Sequence, residues 1–201
     1  MTPPLSTLRT PLVFPGMKIG VFGGSFDPPH EGHVHVAEVA LQRLGLDQVW
    51  WLVSPQNPLK PQSGSFAARR MAVRLIAPGP RHKVSDIERQ LGIQYTAQLV
   101  KFLSRRYPGV TFVWLMGSDN LASFHRWQDW KSILRTMRVA IVARPGSGLR
   151  ALNGRAAQAF RTAQIPESAA ATLPRRRPPA WVYLTARLNP LSSTALRARS
   201  S

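Results

Sequence analysis

Residues 18–33 read KIGVFGGSFDPPHEGH. A short apolar run ends in two glycines, and two histidines three positions apart follow, with a glycine between them. The run suits a buried parallel strand. Gly23 and Gly24 then fall where the strand ends, and a helix is expected to begin near Gly32. Glycine lets a backbone approach a ligand closely and present its N–H groups. The carboxyl edge of a parallel sheet is where open α/β folds bind ligands. A helix start aims unpaired N–H groups and a partial positive charge at the same place. His30 and His33, three apart, can face one way from that start. The stretch predicts a phosphate site with two imidazole donors, either of which can carry charge near neutral pH. No Asp, Glu or Cys completes a tetrahedral set beside them at a familiar spacing, so no protein-held metal is expected.

Outward from this stretch the alternation continues. Residues 32–45 carry apolar side chains at helical spacing before a stop glycine, and QVWWLVS (48–54) is a second strand. A helix is expected over 66–77, closed by Pro78 and Gly79, and a short strand over 82–86. An amphipathic helix follows over 95–109, a strand over 110–117, a helix over 127–136 and a strand over 138–146. Residues 180–184 resume strand character, and a serine or threonine within 192–194 caps a last helix start. Strands alternating with helices imply an α/β fold with a parallel sheet and right-handed crossovers.

The chain has 201 residues, 44% of them hydrophobic, enough for one well-buried domain and marginal for two. Cysteine is absent, which excludes disulfides, thiolate nucleophiles and cysteine metal sites, and fits a reducing cytosol. Prolines 3, 4, 11 and 15 interrupt the N-terminus, so no signal-peptide core forms, and residues 1–16 are expected to be a flexible tail. No apolar stretch approaches the roughly 20 residues of a membrane span. Residues 146–179 are rich in Ala, Arg, Pro and Gly. They are expected to form a long surface loop with room for a helix around 155–164. A cytoplasmic protein with one domain over 17–199 is the resulting expectation. The formal net charge of +18 favours anionic partners. No folded nucleic-acid motif accompanies it, so nucleic acid is not the expected partner. No membrane partner is expected, and the oligomeric state stays open.

GGSFDPPHEGH closely resembles the GGSFDPxHxGH signature of the nucleotidyltransferases related to class I aminoacyl-tRNA synthetases. Within that superfamily the chain is similar to the bacterial nicotinate-nucleotide adenylyltransferase family, over about residues 17–199. The resemblance implies a Rossmann-like doubly wound sheet with helices on both faces. It implies transfer of an adenylyl group from ATP to nicotinate mononucleotide, with Mg²⁺ bound through the ATP phosphates. On the ATP side it places Gly23, Gly24, Ser25, Phe26, His30 and His33, with Lys60 on the loop SPQNPLKP (54–61) as a basic residue near the phosphates. NPLSSTALR (189–197) resembles the family element ISSTxIR, so Ser193, Thr194 and Arg197 are also expected at the phosphates. Tyr95 and Thr96, in IQYTAQLV, are expected at the nicotinate end, although Thr96 at a helix start can equally be a cap. In LMGSDNLASFHRWQDW (115–130), Gly117 permits close approach and Asp119 can accept from ribose hydroxyls. Trp127 offers a flat face for a pyridine ring. Arg144, at another strand end, is a further ligand-side residue by the resemblance.

The mononucleotide phosphate is already a nucleophile, so no general base is required. Catalysis is expected to be positioning and charge neutralisation at the α-phosphate by His30, His33, Lys60 and Arg197. Two other functions fit parts of the pattern. A pantetheine-phosphate adenylyltransferase shares the first motif, but the Tyr-Thr pair and SFHRWQDW argue against it. A non-catalytic RNA- or ribosome-binding protein would use the same fold and charge without turnover.

Overall fold

The computed structural model describes residues 8–55, 64–144 and 151–185. Seven parallel strands form one sheet in the order β3-β2-β1-β4-β5-β7-β6. They are β1 (Lys18–Gly24), β2 (Gln48–Val53), β3 (His82–Ser85), β4 (Thr111–Gly117), β5 (Arg138–Val142), β6 (Gln164–Ile165) and β7 (Trp181–Leu184). The helices are α1 (Glu31–Arg43), α2 (Phe66–Ile76), α3 (Ile87–Leu91), α4 (Thr96–Arg106), α5 (Ser118–Ser123), α6 (Trp130–Thr136) and α7 (Arg155–Ala159). The expected doubly wound α/β sheet is therefore present.

Strand periodicity divides the core in two. One face of the sheet carries Ile19, Val21, Trp50, Leu52, Trp114 and Ile141 toward α4 and α6. The other carries Phe22, Val49, Trp51, Val113, Leu115 and Val142 toward α1. These residues alternate along each strand because successive side chains point to opposite faces. Both faces are apolar because helices cover both, as parallel sheets require.

Several elements are shorter than expected, each for a local reason. Helix α4 stops at Arg106, since Tyr107 precedes Pro108 and adopts φ −129°, ψ 65°. Helix α6 begins at Trp130 because Asp129 sits at φ 51°, the left-handed region, leaving Trp127 in the connection before it. Two five- and six-residue helices, α3 and α5, carry too little periodicity to be seen in sequence.

The segment expected as a long loop over 146–179 requires correction. Its described part, 151–179, holds α7, a 3₁₀ turn over Arg161–Ala163, the edge strand β6 and a 3₁₀ helix over Glu167–Arg175. Ala170, Leu173 and Pro174 are buried there, and Ala170 and Leu173 pack into the α1 face of the core. Composition concealed this because small residues bury little area each and give no clear period. At the other end, residues 8–16 hold no helix or strand, but they are bound to the body. Arg9 and Gln90 exchange two hydrogen bonds, the Thr10 and Tyr107 hydroxyls lie 3.0 Å apart, and the Gly16 N–H donates to Gly109. Among the described residues no helix is long and apolar enough to cross a membrane.

Candidate active site

Strands β1 and β4 are neighbours at the centre of the sheet, where the chain order reverses. Open parallel sheets form a crevice outside the carboxyl ends at such a point. Gly24 ends β1 and Gly117 ends β4. The residues that follow each of them converge there.

His30 is the N-cap of α1, in extended conformation at φ −155°, ψ 169°. Its Nδ1 accepts the Gly32 N–H at 3.1 Å, and His33 Nδ1 accepts the His30 N–H at 3.2 Å. The two side chains thus form a capping box in which both Nδ1 atoms are acceptors. In a neutral imidazole the remaining proton must then sit on Nε2. His30 is 6% exposed, and its Nε2 is buried without a partner among the described residues. Burial first and the Arg144 charge second lower its pKa to about 4, with Asp119 opposing. The expectation that either histidine can carry charge near neutral pH is corrected for His30. It is a neutral N–H donor there.

The first-motif glycines have packing reasons of their own. A Cβ at Gly23 would run into the Trp114 ring, and one at Gly24 would lie 3.2 Å from the Phe26 ring. Phe26 adopts φ 48°, and its ring is 1% exposed, edge-on to His33 at 5.0 Å and tilted against Trp51 at 5.4 Å. The Phe26 ring therefore supports the histidine from the core rather than facing a ligand. Trp51 is anchored in turn by donating from Nε1 to His82 Nδ1 at 3.0 Å.

Across the crevice, Arg144 Nη1 lies 3.3 Å from Asp119 Oδ2, and the Arg144 N–H donates to Ser118 Oγ at 2.8 Å. A Cβ at Gly117 would collide with both the Asp119 carboxylate and the Arg144 side chain. A side chain at 117 would therefore displace this pair. The half-exposed Asp119 side chain keeps its carboxylate accessible to hydroxyl donors.

Tyr95 is the N-cap of α4 and is 38% exposed, and Thr96 is the first helical residue. No side chain caps this helix, so Thr96 is not its cap. Because α4 lies on the crossover from β3 to β4, its start lies at the carboxyl edge. Trp127 is partly buried, edge-on to Phe124 at 5.1 Å and to Trp114 at 6.3 Å. Lys60, Ser193, Thr194 and Arg197 lie outside the described residues.

Two residues of this region escaped the sequence reading. Arg69 of α2 is 4% exposed and reaches the backbone of the glycine loop. Its signal was present: Arg69 and Val73, four apart, share the buried face of an otherwise amphipathic helix. Glu88 of α3 is 7% exposed, and burial alone raises its pKa to about 8.

A cytidylyltransferase-like family model matches residues 21–199. A protein of Caulobacter sp. named "probable nicotinate-nucleotide adenylyltransferase" is 54% identical over 187 residues, 92% of this chain and 99% of that one. One of the same name from Cereibacter sphaeroides is 51% identical over 183 residues, covering 90% and 97%. The fold matches the Plasmodium falciparum nicotinic acid mononucleotide adenylyltransferase solved with NaAD. The TM-score is 0.69 at 18% identity, over 90% of this chain and 83% of that one. With identity above one half across nearly the whole length of both relatives, the chain belongs to the nicotinate-nucleotide adenylyltransferase family.

Proposed function

We propose that the chain transfers the adenylyl group of ATP to nicotinate mononucleotide, forming nicotinate adenine dinucleotide and pyrophosphate, a step of NAD biosynthesis. Family membership supports the reaction. The observation that carries the site reading is the buried, unpartnered His30 Nε2 at the carboxyl edge, opposite the Asp119–Arg144 pair. A buried donor with no protein partner costs about 1–3 kcal/mol unless a ligand satisfies it. The working unit is one domain over 17–199, supported by the single continuous sheet and the extent of the family match.

The chemistry follows from the groups at the edge. The mononucleotide phosphate attacks the α-phosphorus of ATP, the bond to the β-phosphate oxygen breaks, and pyrophosphate leaves in line. The attacking oxygen carries no proton at neutral pH, so no side chain needs to remove one. His30 and His33 donate through Nε2–H to the reacting phosphates, where charge builds in the transition state. Asp119 accepts from ribose hydroxyls. The uncapped start of α4 at Thr96 receives the nicotinate carboxylate on its N–H groups, and Trp127 lies against the pyridine ring. By the family resemblance, Lys60 and Arg197 would hold the leaving pyrophosphate, and Ser193 and Thr194 would bind the ATP phosphates.

In the proposed reaction ATP would enter as its magnesium complex. Among the described residues no group of three His, Asp or Glu side chains surrounds a cation position. Mg²⁺ bound through the ATP phosphates would supply charge neutralisation on the transferring group. The decisive measurement is pyrophosphate release with ATP and three acceptors in parallel: nicotinate mononucleotide, its nicotinamide counterpart and phosphopantetheine. Turnover with the first is expected to exceed the others at least tenfold. No turnover with any of the three would overturn the assignment.

A further inference from the structure

Arg69 lies on α2, outside every sequence motif that carries the reaction, yet its guanidinium makes four hydrogen bonds to backbone carbonyls. Nε donates to the Gly64 carbonyl at 2.9 Å, and Nη2 donates to Pro55 at 2.9 Å. Nη1 donates to both Ser25, at 2.6 Å, and Ser54, at 3.0 Å. These four carbonyls belong to three separate stretches of chain. Ser25 follows the β1 glycines, Ser54 and Pro55 follow β2, and Gly64 leads into α2. The Gly64 N–H is held in turn by Asp27 Oδ2 at 3.2 Å, so the same stretch is tied back to the glycine loop.

A buried cation is normally found against a carboxylate, because burial of a charge is costly unless it is paired and hydrogen-bonded. Burial does lower the Arg69 pKa, and the charge of Asp27 opposes that shift. The direct bonds, however, all go to neutral carbonyls. Only a planar fork with several divergent N–H groups can serve four carbonyls on three segments at once. Lysine, whose donors all radiate from one atom, cannot.

We propose that Arg69 is a positioning residue for adenylyl transfer, fixing the glycine loop of β1 and the end of β2 at Ser54 and Pro55 relative to each other. This rests on the proposed reaction at the carboxyl edge. A trans peptide points its C=O and N–H in opposite directions. Holding the Ser25 carbonyl inward therefore fixes the direction of the Phe26 N–H, at a residue whose φ of 48° is otherwise disfavoured. The same clamp fixes Ser54 and Pro55, where the chain leaves β2. An error of about 1 Å in such a loop costs about a hundredfold in rate when catalysis is by positioning.

The test compares Arg69→Met and Arg69→Lys with Arg74→Ala, an exposed arginine on the same helix outside the site. Circular dichroism and thermal melting report folding. Initial rates give kcat and KM separately for ATP and nicotinate mononucleotide. Arg69→Met is expected to fold, to lose at least tenfold in kcat and to raise KM for ATP. Arg69→Lys is expected to recover less than half of the loss, and Arg74→Ala to match wild type. Millimolar guanidinium is expected to restore part of the Arg69→Met rate, while the same concentration of ammonium does not. Arg69 variants that fold less stably but turn over normally per folded molecule would overturn the proposal. Failure of both variants to fold would also overturn it, in favour of a purely structural role. An inactive wild-type enzyme would instead overturn the reaction, so the two failures are distinct.

Discussion

The His30 and His33 rings lie 3.9 Å apart, centroid to centroid, and each spends its Nδ1 lone pair on a backbone N–H of the α1 start. Two imidazoles this close would repel each other if both were charged. In the capping box both Nδ1 atoms act as acceptors, so each ring has only Nε2 left to donate.

Removing one donor tests this. His33→Ala is expected to lower kcat by about 10²-fold or more, the scale of losing a preorganised charge-stabilising donor. The variant also loses the acceptor for the His30 N–H, so a drop of about 1 kcal/mol in stability is expected with it. Near-normal turnover of purified His33→Ala would remove the phosphate-donor role.

The His30 titration has a definite sign. Its pKa is about 4 in the folded chain against an ordinary 6.5, so between these values the unfolded chain binds a proton that the folded chain does not. Stability therefore falls as pH drops from about 6.5 to about 4, by an amount on the order of a few kcal/mol. His30→Gln is expected to flatten that part of the stability curve. NMR titration is expected to show no His30 charging near pH 6.5 in the free enzyme. A bound ATP analogue is expected to raise its pKa, since negative charge favours the imidazolium.

Glu88 works in the opposite direction. Its folded pKa of about 8 lies above the ordinary 4.5, so the folded chain retains a proton that the unfolded chain has lost. Stability falls as pH rises from about 4.5 to about 8. Glu88→Gln is expected to remove this slope and to raise stability at pH 8.5 by more than about 1 kcal/mol. Denaturant unfolding at pH 5.5 and 8.5 measures both values. Equal pH slopes in wild type and variant would show that Glu88 is ionised.

Selectivity for the nicotinate acceptor should come from the α4 start rather than from Trp127. Stacking accepts either pyridine ring, whereas N–H donors at a helix start favour a carboxylate by about 0.3–2 kcal/mol. A carboxamide that leaves one donor unpaired adds about 1–3 kcal/mol. The expected preference in kcat/KM is at least tenfold. Trp127→Ala is expected to weaken both acceptors together and to leave the ratio nearly unchanged. A variant that keeps affinity and loses the ratio would reverse the two roles.

The Asp119–Arg144 pair adds a linked expectation. Asp119→Asn removes the charge that opposes the lowering of the His30 pKa, so that pKa falls further. It also leaves Arg144 without the carboxylate 3.3 Å away. KM for the nucleotide substrates is expected to rise at least tenfold, with little change in melting temperature because the pair is partly exposed. A large loss of stability with unchanged KM would mark the pair as structural.

Much of this was legible in the sequence because it depends on local pattern. KIGVFGG, QVWWLV and TFVWLMG are continuous apolar runs, which only a sheet covered on both faces can bury. Their alternation with helices specified the doubly wound α/β class, and GGSFDPPHEGH placed a donor pair at the strand end. Other features arise from contacts distant in sequence, which a single chain read locally does not display. The neutrality of His30 depends on Arg144, over a hundred residues away, and on burial that only packing creates. Gly23 is glycine because the Trp114 ring comes from β4, and a side chain at Gly117 would displace Arg144, which comes from beyond β5. Arg69 looked like one of many arginines on a basic chain until folding brought four carbonyls from three segments around it. Sequence determined which residues were available at the carboxyl edge. Tertiary structure decided their protonation and orientation, because desolvation and hydrogen-bond partners exist only once the chain has closed around them.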